Sequence, residues 1–490
     1  MTENETTAPQ EKVNGKEKVR KLLGIEPVET HHELKLKTTT LKYTATAGAL
    51  PLKDEFGETE AEVFFVAYTL QGIDDPAKRP LAFVFNGGPG SSAIWLHMGA
   101  VGPYRVVMQE DGWMPPPPYH LEPNEHTWLE FADLVFIDPV GTGFSRAARE
   151  ELDKKYWSFK GDIESVGEFI RLYLTRYQRW TSPLFLAGES YGTTRAAGLA
   201  GHLVDKGIAF NGVILISTAI SLRPIFFEVG DDLPFHLFVP TYAATAWYHK
   251  KLSQDLQQLE LRALLDEVET WCQTEYSVAL GKGDQLPEQE QQKIAEKLAR
   301  FTGLDLNYVL GTKLRVEIHR FCKELLRDEN RSVGRLDSRF KGIEAIAVTE
   351  VPEFDPAMLA ITPPYTATFN DYVRSKLGIE TDLTYESLSF KVNEKWSWEK
   401  GKLPNTAEAL RSAIAKNPYT KIFVGQGYYD LATPHFATEY MITHMNIDSE
   451  LRENVDMAYY PAGHMFYLDI QSLAKHKSDV EGFIKEALNT

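Results

Sequence analysis

The sequence predicts an α/β protein with a mostly parallel central sheet, helices on both faces and a helical insertion. Three observations carry that expectation. Short, fully apolar runs recur at 80–85 (PLAFVF), 132–138 (ADLVFID), 183–188 (PLFLAG) and 212–217 (GVILIS). Strands covered on both faces read this way, and the amphipathic stretches between them suit crossover helices. From Ser221 to about residue 375 helical periodicity takes over, and beyond it the alternation of helix and strand resumes.

The elements follow in order. Residues 1–22 are polar and read as a disordered tail. LKLKTTTLKYTAT (34–46) and AEVFFVAYTL (61–70) alternate with a period of two, as antiparallel strands do. The four apolar runs then supply buried strands. In the insertion, 251–271 places Leu252, Leu256, Leu259, Leu261, Leu264 and Leu265 on a repeating face, and 287–301 and 314–328 behave alike. A helix at 406–417 and strands at 420–426 and 456–461 close the chain. The expected division is one α/β core made of 23–220 and 376–490, with 221–375 as a helical lid.

Composition narrows the function. The chain has 490 residues, 43% hydrophobic and 25% charged, and Lys plus Arg at 52 against Asp plus Glu at 69 gives −17. That is globular composition with a negative surplus, which argues against a general nucleic-acid binder. No run of eighteen apolar residues exists, so no transmembrane helix is expected. Cys272 and Cys322 do not make a disulfide-dense scaffold or a zinc site; one bridge and two free thiols both stay open. The polar start lacks the apolar region of a secretory signal. The protein is then cytoplasmic, or secreted or periplasmic if a signal was removed.

The strongest local signal is Gly188-Glu189-Ser190-Tyr191-Gly192, a G-x-S-x-G between an apolar run and a helix-like stretch. In the α/β-hydrolase arrangement that turn presents a nucleophilic serine, and an acid and a histidine follow on loops after later strands. A serine hydroxyl needs such a base, held by such an acid. Asp430, after TKIFVGQGYY, and His464, after DMAYYP, occupy those places. His435 competes locally, but it lies on the Asp430 loop and would leave no later acid-then-base order. Early in the chain, Asn86-Gly87-Gly88-Pro89-Gly90-Ser91-Ser92 lets backbone amides approach a ligand. Gly88 and Tyr191 are the expected oxyanion donors. Gly88-x-Gly90-x-x-Ala93 with Glu110 also spells a dinucleotide fingerprint, but Gly99, Gly102 and Pro103 interrupt the helix that motif needs.

With NGGPGSS, IDPVGTGFS, GESYG, GYYD and AGHM in this order, together with Asn124, Trp128 and TFNDYVRSKLGI, the chain resembles the serine carboxypeptidase family. The likeness covers most of 60–220 and 365–470. It implies an α/β-hydrolase fold with a lid, no cofactor or metal, and release of C-terminal residues from peptides. It also implies a Ser190-Asp430-His464 triad, oxyanion donors at Gly88 and Tyr191, and recognition of the substrate carboxylate by Asn86, Gly87 and Glu189. A glutamate facing a carboxylate repels it unless the two share a proton. Peptide binding should therefore weaken as pH rises, with ester hydrolysis suffering less.

Three departures stand out. Val84 takes a position where tryptophan is usual, Ala100 one where a second glutamate is common, and Gly192-Thr193-Thr194-Arg195 follows the nucleophile. They motivate an esterase or acyltransferase as the alternative. A non-catalytic binding protein is the third reading, which no residue favours. Expected partners are peptides with a free C-terminus, not nucleic acid or membrane. The oligomeric state is not legible; a homodimer is one option.

Overall fold

The computed structural model describes residues 19–398 and 402–489. The segment read as a tail, 1–22, lies outside the described residues as far as residue 18. Alternating residues build the first strands: β1 (Val28–Lys35), β2 (Thr40–Lys53) and β3 (Thr59–Leu70), antiparallel in succession. The stretch 34–46, read as one strand, breaks at 36–39, where Leu36 N–H donates to the Thr39 carbonyl in a tight turn. The apolar runs form β4 (Leu81–Phe85), β5 (Asp133–Ile137), β6 (Leu184–Ser190) and β7 (Gly212–Thr218). Two later strands, β8 (Lys421–Gly427) and β9 (Val455–Tyr460), complete the sheet. Its order is β1-β2-β3-β5-β4-β6-β7-β8-β9, and every pair from β5 onward in that order is parallel.

The longer helices are α1 (Phe159–Arg176), α2 (Tyr191–Val204), α3 (Leu233–Tyr248), α4 (Leu261–Trp271), α5 (Glu288–Thr302), α6 (Pro356–Ser375), α7 (Ala407–Lys416), α8 (His435–Thr443) and α9 (Ile470–Leu488). Two hydrophobic cores result, one on each face of the sheet. Leu81, Phe83 and Phe85 of β4 point into the core shared with α1, α2, α7, α8 and the insertion. Ala82 and Val84 point the other way, into the core shared with α6 and α9. This two-sided burial is why β4, β5 and β7 carry no exposed residue.

The insertion follows β7. The leucine-rich stretch 251–271 does not form one helix: a short turn of helix at Gln254–Gln257 ends before Glu260, and α4 starts afresh at Leu261. Cys272 and Cys322 are both buried free thiols there. α6 ends the span read as a lid, yet it packs on the sheet, where Ile361, Tyr365, Phe369 and Tyr372 join the second core. No described helix is long and apolar enough to cross a membrane. The loops at the C-terminal ends of β4, β6, β8 and β9 collect on one edge of the sheet. Open parallel sheets bind ligands at this edge, where neighbouring connections diverge.

Candidate active site

Ser190 ends β6 and immediately precedes α2, with φ 58° and ψ −130°. Non-glycine residues rarely adopt positive φ, and the surrounding packing must hold them there. The flanking glycines make the turn possible. A Cβ at Gly188 would stand 2.2 Å from the Gly192 carbonyl oxygen, and one at Gly192 would stand 3.0 Å from those of Phe85 and Asn86. The residues that depart from the family pattern brace the turn. Thr193 Oγ1 donates to the Ser190 carbonyl at 2.7 Å and accepts from Ala219 N–H at 2.7 Å. Arg195, fully buried, pairs with Asp162 at 2.8 Å and donates to the Asn86 carbonyl at 2.6 Å.

Asp430 lies just past β8 and His464 just past β9. The Asp430 carboxylate accepts from His464 Nδ1 at 2.7 Å. A carboxylate can only accept, so Nδ1 carries the proton and Nε2 of the neutral ring is left with a free lone pair. Asp430 also accepts from Ala432 N–H at 2.7 Å, Thr433 N–H at 3.0 Å and Thr433 Oγ1 at 2.6 Å, which fixes its plane. Burial disfavours the His464 imidazolium, but the Asp430 and Glu189 carboxylates outweigh it, and the His464 pKa is raised above 6.5.

A stretch of the insertion, Arg335–Ser338, clamps the loops that carry Asp430 and His464. Leu431 N–H donates to the Arg335 carbonyl at 3.0 Å, and Ser338 N–H to that of Tyr429 at 3.0 Å. His464 N–H donates to the Leu336 carbonyl at 2.6 Å, and Gly463 N–H to Asp337 Oδ2 at 3.1 Å. Asp430 and His464 are therefore held in register by one segment far from either in sequence.

The glycine loop after β4 lies alongside the nucleophile turn. Phe85 pairs with Gly188, which makes Asn86 and Glu189 neighbours on adjacent strands. Asn86 Nδ2 donates to Glu189 Oε1 at 3.1 Å, while Leu96 N–H donates to Asn86 Oδ1 at 3.0 Å and orients the amide. A Cβ at Gly87 would stand 2.5 Å from the Tyr191 nitrogen, so only glycine lets this loop approach the start of α2. Gly88 has φ 103°, again a glycine conformation. Tyr191 N–H is at the first helical position, where no intrahelical acceptor exists and the helix dipole favours negative charge.

Glu189 is 3% exposed, and its Oε2 is buried with no hydrogen-bond partner. Burial pushes its pKa up to about 7, against the opposing pull of His464, Tyr467 and Asn86. Asn86, Gly87, Gly88, Glu189, Ser190 and His464 all line one cavity of about 400 Å³. Its other walls are mainly apolar, including Trp95, Leu336, Phe354, Met358, Ile361 and Phe390. Asp430 stands behind His464, and Tyr191 turns its ring into the core, 5.4 Å from Trp396.

The remaining residues singled out in the sequence fall elsewhere. Val84 and Ala100 are buried in the second core and add no polar group to the cavity. His97, in the same turn as Ala100, stacks on Phe136 and bonds the Tyr68 hydroxyl at 2.7 Å, and burial lowers its pKa to about 3, so it too is a core residue. His435 bonds Glu269 at 3.0 Å and Thr241 at 3.3 Å, committed to the insertion. Asn124 Nδ2 ties down the Ala100 and Gly102 carbonyls at 2.8 and 2.9 Å. Past Gly90 the chain makes only the short helix Ile94–Leu96 and one wider turn, not a dinucleotide crossover helix. Arg335 and Asp355, which also line the cavity, carried no local motif; only the fold brings them there.

Residues 38–488 match the family Peptidase_S10, serine carboxypeptidase. Pheromone-processing carboxypeptidase KEX1 of Saccharomyces cerevisiae is 34% identical over 158 residues, 30% of this chain and 20% of that protein. Serine carboxypeptidase-like 13 of Arabidopsis thaliana is 29% identical over 153 residues, 29% of this chain and 34% of that one. The matched stretches thus span a fifth to a third of these relatives. The crystal structure of a prohormone-processing carboxypeptidase from Saccharomyces cerevisiae superposes with TM-score 0.57 at 16% identity, covering 90% of this chain and 91% of that one. That likeness is one of fold, and the fold is that of the α/β-hydrolases.

Proposed function

The chain belongs to the serine carboxypeptidase family, and from that premise we propose that it hydrolyses the last peptide bond of peptides with a free C-terminus. Ser190 Oγ attacks the scissile carbonyl while His464 Nε2 takes its proton. The Gly88 and Tyr191 amides hold the oxyanion. His464 then gives the proton to the leaving amino group, the C–N bond breaks, and an acyl-enzyme remains on Ser190. Water, deprotonated by His464, hydrolyses that ester and frees the shortened peptide. Asp430 keeps His464 in the tautomer that does this and stabilises the imidazolium.

The observation that carries the proposal is Glu189: a carboxyl next to Ser190, buried, held by the Asn86 amide with the Tyr467 hydroxyl close by, and with a pKa of about 7. Such a group stays protonated in mildly acid solution and can donate its O–H to a substrate carboxylate, alongside the Asn86 amide. The test compares a blocked dipeptide with its C-terminal amide at about pH 5–6, where a raised carboxyl holds its proton. The free acid is expected to have a kcat/KM at least about tenfold higher, the effect of one charge-assisted hydrogen bond. Equal cleavage of acid and amide would rule out carboxylate recognition by Glu189.

An esterase or acyltransferase would use the same triad. Its support is that Val84 and Ala100 leave Glu189 and Asn86 without further carboxylate-binding side chains at those positions. Under that reading an ester of the blocked dipeptide is cleaved and both the acid and the amide are spared.

A further inference from the structure

The active-site cavity carries a cation that the reaction above does not use. Arg335 lies on the clamp segment, half-buried, and lines the cavity with Ser190 and His464. Other arginines of low exposure are committed to carboxylates: Arg79 and Arg179 to Asp133, Arg195 to Asp162, Arg339 to Asp337. Among the described residues the Arg335 guanidinium has no hydrogen bond, ion pair or aromatic face of its own. Its backbone is fixed, since its carbonyl accepts from Leu431 N–H and the next residue bonds the His464 backbone. Its charge reaches the reacting centre, where it opposes protonation of His464.

A guanidinium held against apolar walls without a counter-ion is a ready partner for an incoming carboxylate. Its planar fork matches a carboxylate through two parallel N–H···O bonds, and the low local polarity strengthens them. The substrate's terminal carboxylate already has Glu189 and Asn86. The group left for Arg335 is a side-chain carboxylate. Asp355 is the competing anion on the same wall, but its oxygens are engaged by Leu336 N–H at 3.1 Å and Ala357 N–H at 3.0 Å, at the start of α6.

We propose that Arg335 determines specificity by pairing with the side-chain carboxylate of an aspartate or glutamate flanking the scissile bond. The inference rests on the carboxypeptidase reading. Blocked tripeptides carrying Glu, Gln or Lys at the last or, separately, the penultimate position test it at about pH 6, where side-chain carboxylates are ionised. The wild type is expected to favour Glu over Gln by about tenfold to a hundredfold in kcat/KM at one of the two positions. Arg335→Gln should erase that ratio, Arg335→Lys should keep part of it, and Arg335→Glu should turn it in favour of Lys. The position at which the ratio responds identifies which side chain Arg335 meets.

Several results would overturn the inference. One is a Glu-to-Gln ratio that all three variants leave unchanged. Another is equal loss on Glu and Gln peptides, which would assign Arg335 to the terminal carboxylate or to the fold. A wild-type preference for Lys at both positions would show that Asp355 dominates the wall. These outcomes leave C-terminal release intact and fail only this inference. No release from any peptide would overturn the carboxypeptidase reading and the inference with it.

Discussion

Asp430→Asn is expected to lower kcat by about four orders of magnitude with the fold intact. The carboxylate receives the His464 Nδ1 proton at 2.7 Å. An asparagine amide placed there to preserve the bonds from Ala432 and Thr433 would turn an N–H toward Nδ1. The imidazole would answer by moving its own proton to Nε2, and the lone pair that serves as the base in the proposed reaction would be lost. The backbone donors of Ala432 and Thr433 still find Asn Oδ1, and the Thr433 hydroxyl can reverse its bond. Thermal unfolding should therefore change far less than activity. A loss smaller than about tenfold, with unfolding unchanged, would mean that the Asp430–His464 pair does not serve the reaction.

Glu189→Gln is expected to remove the alkaline limb of the pH profile on free-acid substrates. The Glu189 pKa is raised to about 7, chiefly by burial. Below that value its O–H meets the substrate carboxylate; above it two anions face each other. In the wild type, kcat/KM on a free acid should fall about tenfold per pH unit beyond pH 7, because one ionisation abolishes binding. The acid limb belongs to His464, which must be neutral to act as a base and whose pKa is raised. The two groups interact, so the limbs report the pair, and an arriving carboxylate drives the shared proton onto Glu189. Glutamine donates N–H at every pH, so the variant should lose the alkaline limb and keep the acid one. Wild-type ester hydrolysis should lack the alkaline limb from the start. An alkaline limb that persists on free acids in Glu189→Gln would contradict the shared-proton account.

The parts of this site that could be read in advance share a physical reason. Strands buried on both faces write themselves as apolar runs, and the residues just past each run must sit on the ligand edge of a parallel sheet. That placed Ser190, Asp430 and His464 by position as much as by motif. Gly188 and Gly192 were legible because no side chain fits there, as the 2.2 Å approach at Gly188 shows. The features that escaped depend on distant partners. Arg335–Ser338 has no motif, yet it holds the Asp430 and His464 loops through backbone bonds that any sequence could make. Thr193 and Arg195, mere departures in the sequence, brace the turn because Ala219, Asp162 and the Asn86 carbonyl happen to face them. The helix break before Leu261 and the seating of α6 on the sheet are likewise decided by packing, not by local periodicity.

The central claim is that Ser190 removes residues one at a time from a free C-terminus. Mass spectrometry of a long peptide incubated with the enzyme across mildly acid to neutral pH tests it most directly. The account predicts a ladder shortened from the C-terminus, absent for the amidated peptide and absent for Ser190→Ala. Internal fragments, or a ladder that Ser190→Ala still produces, would contradict it.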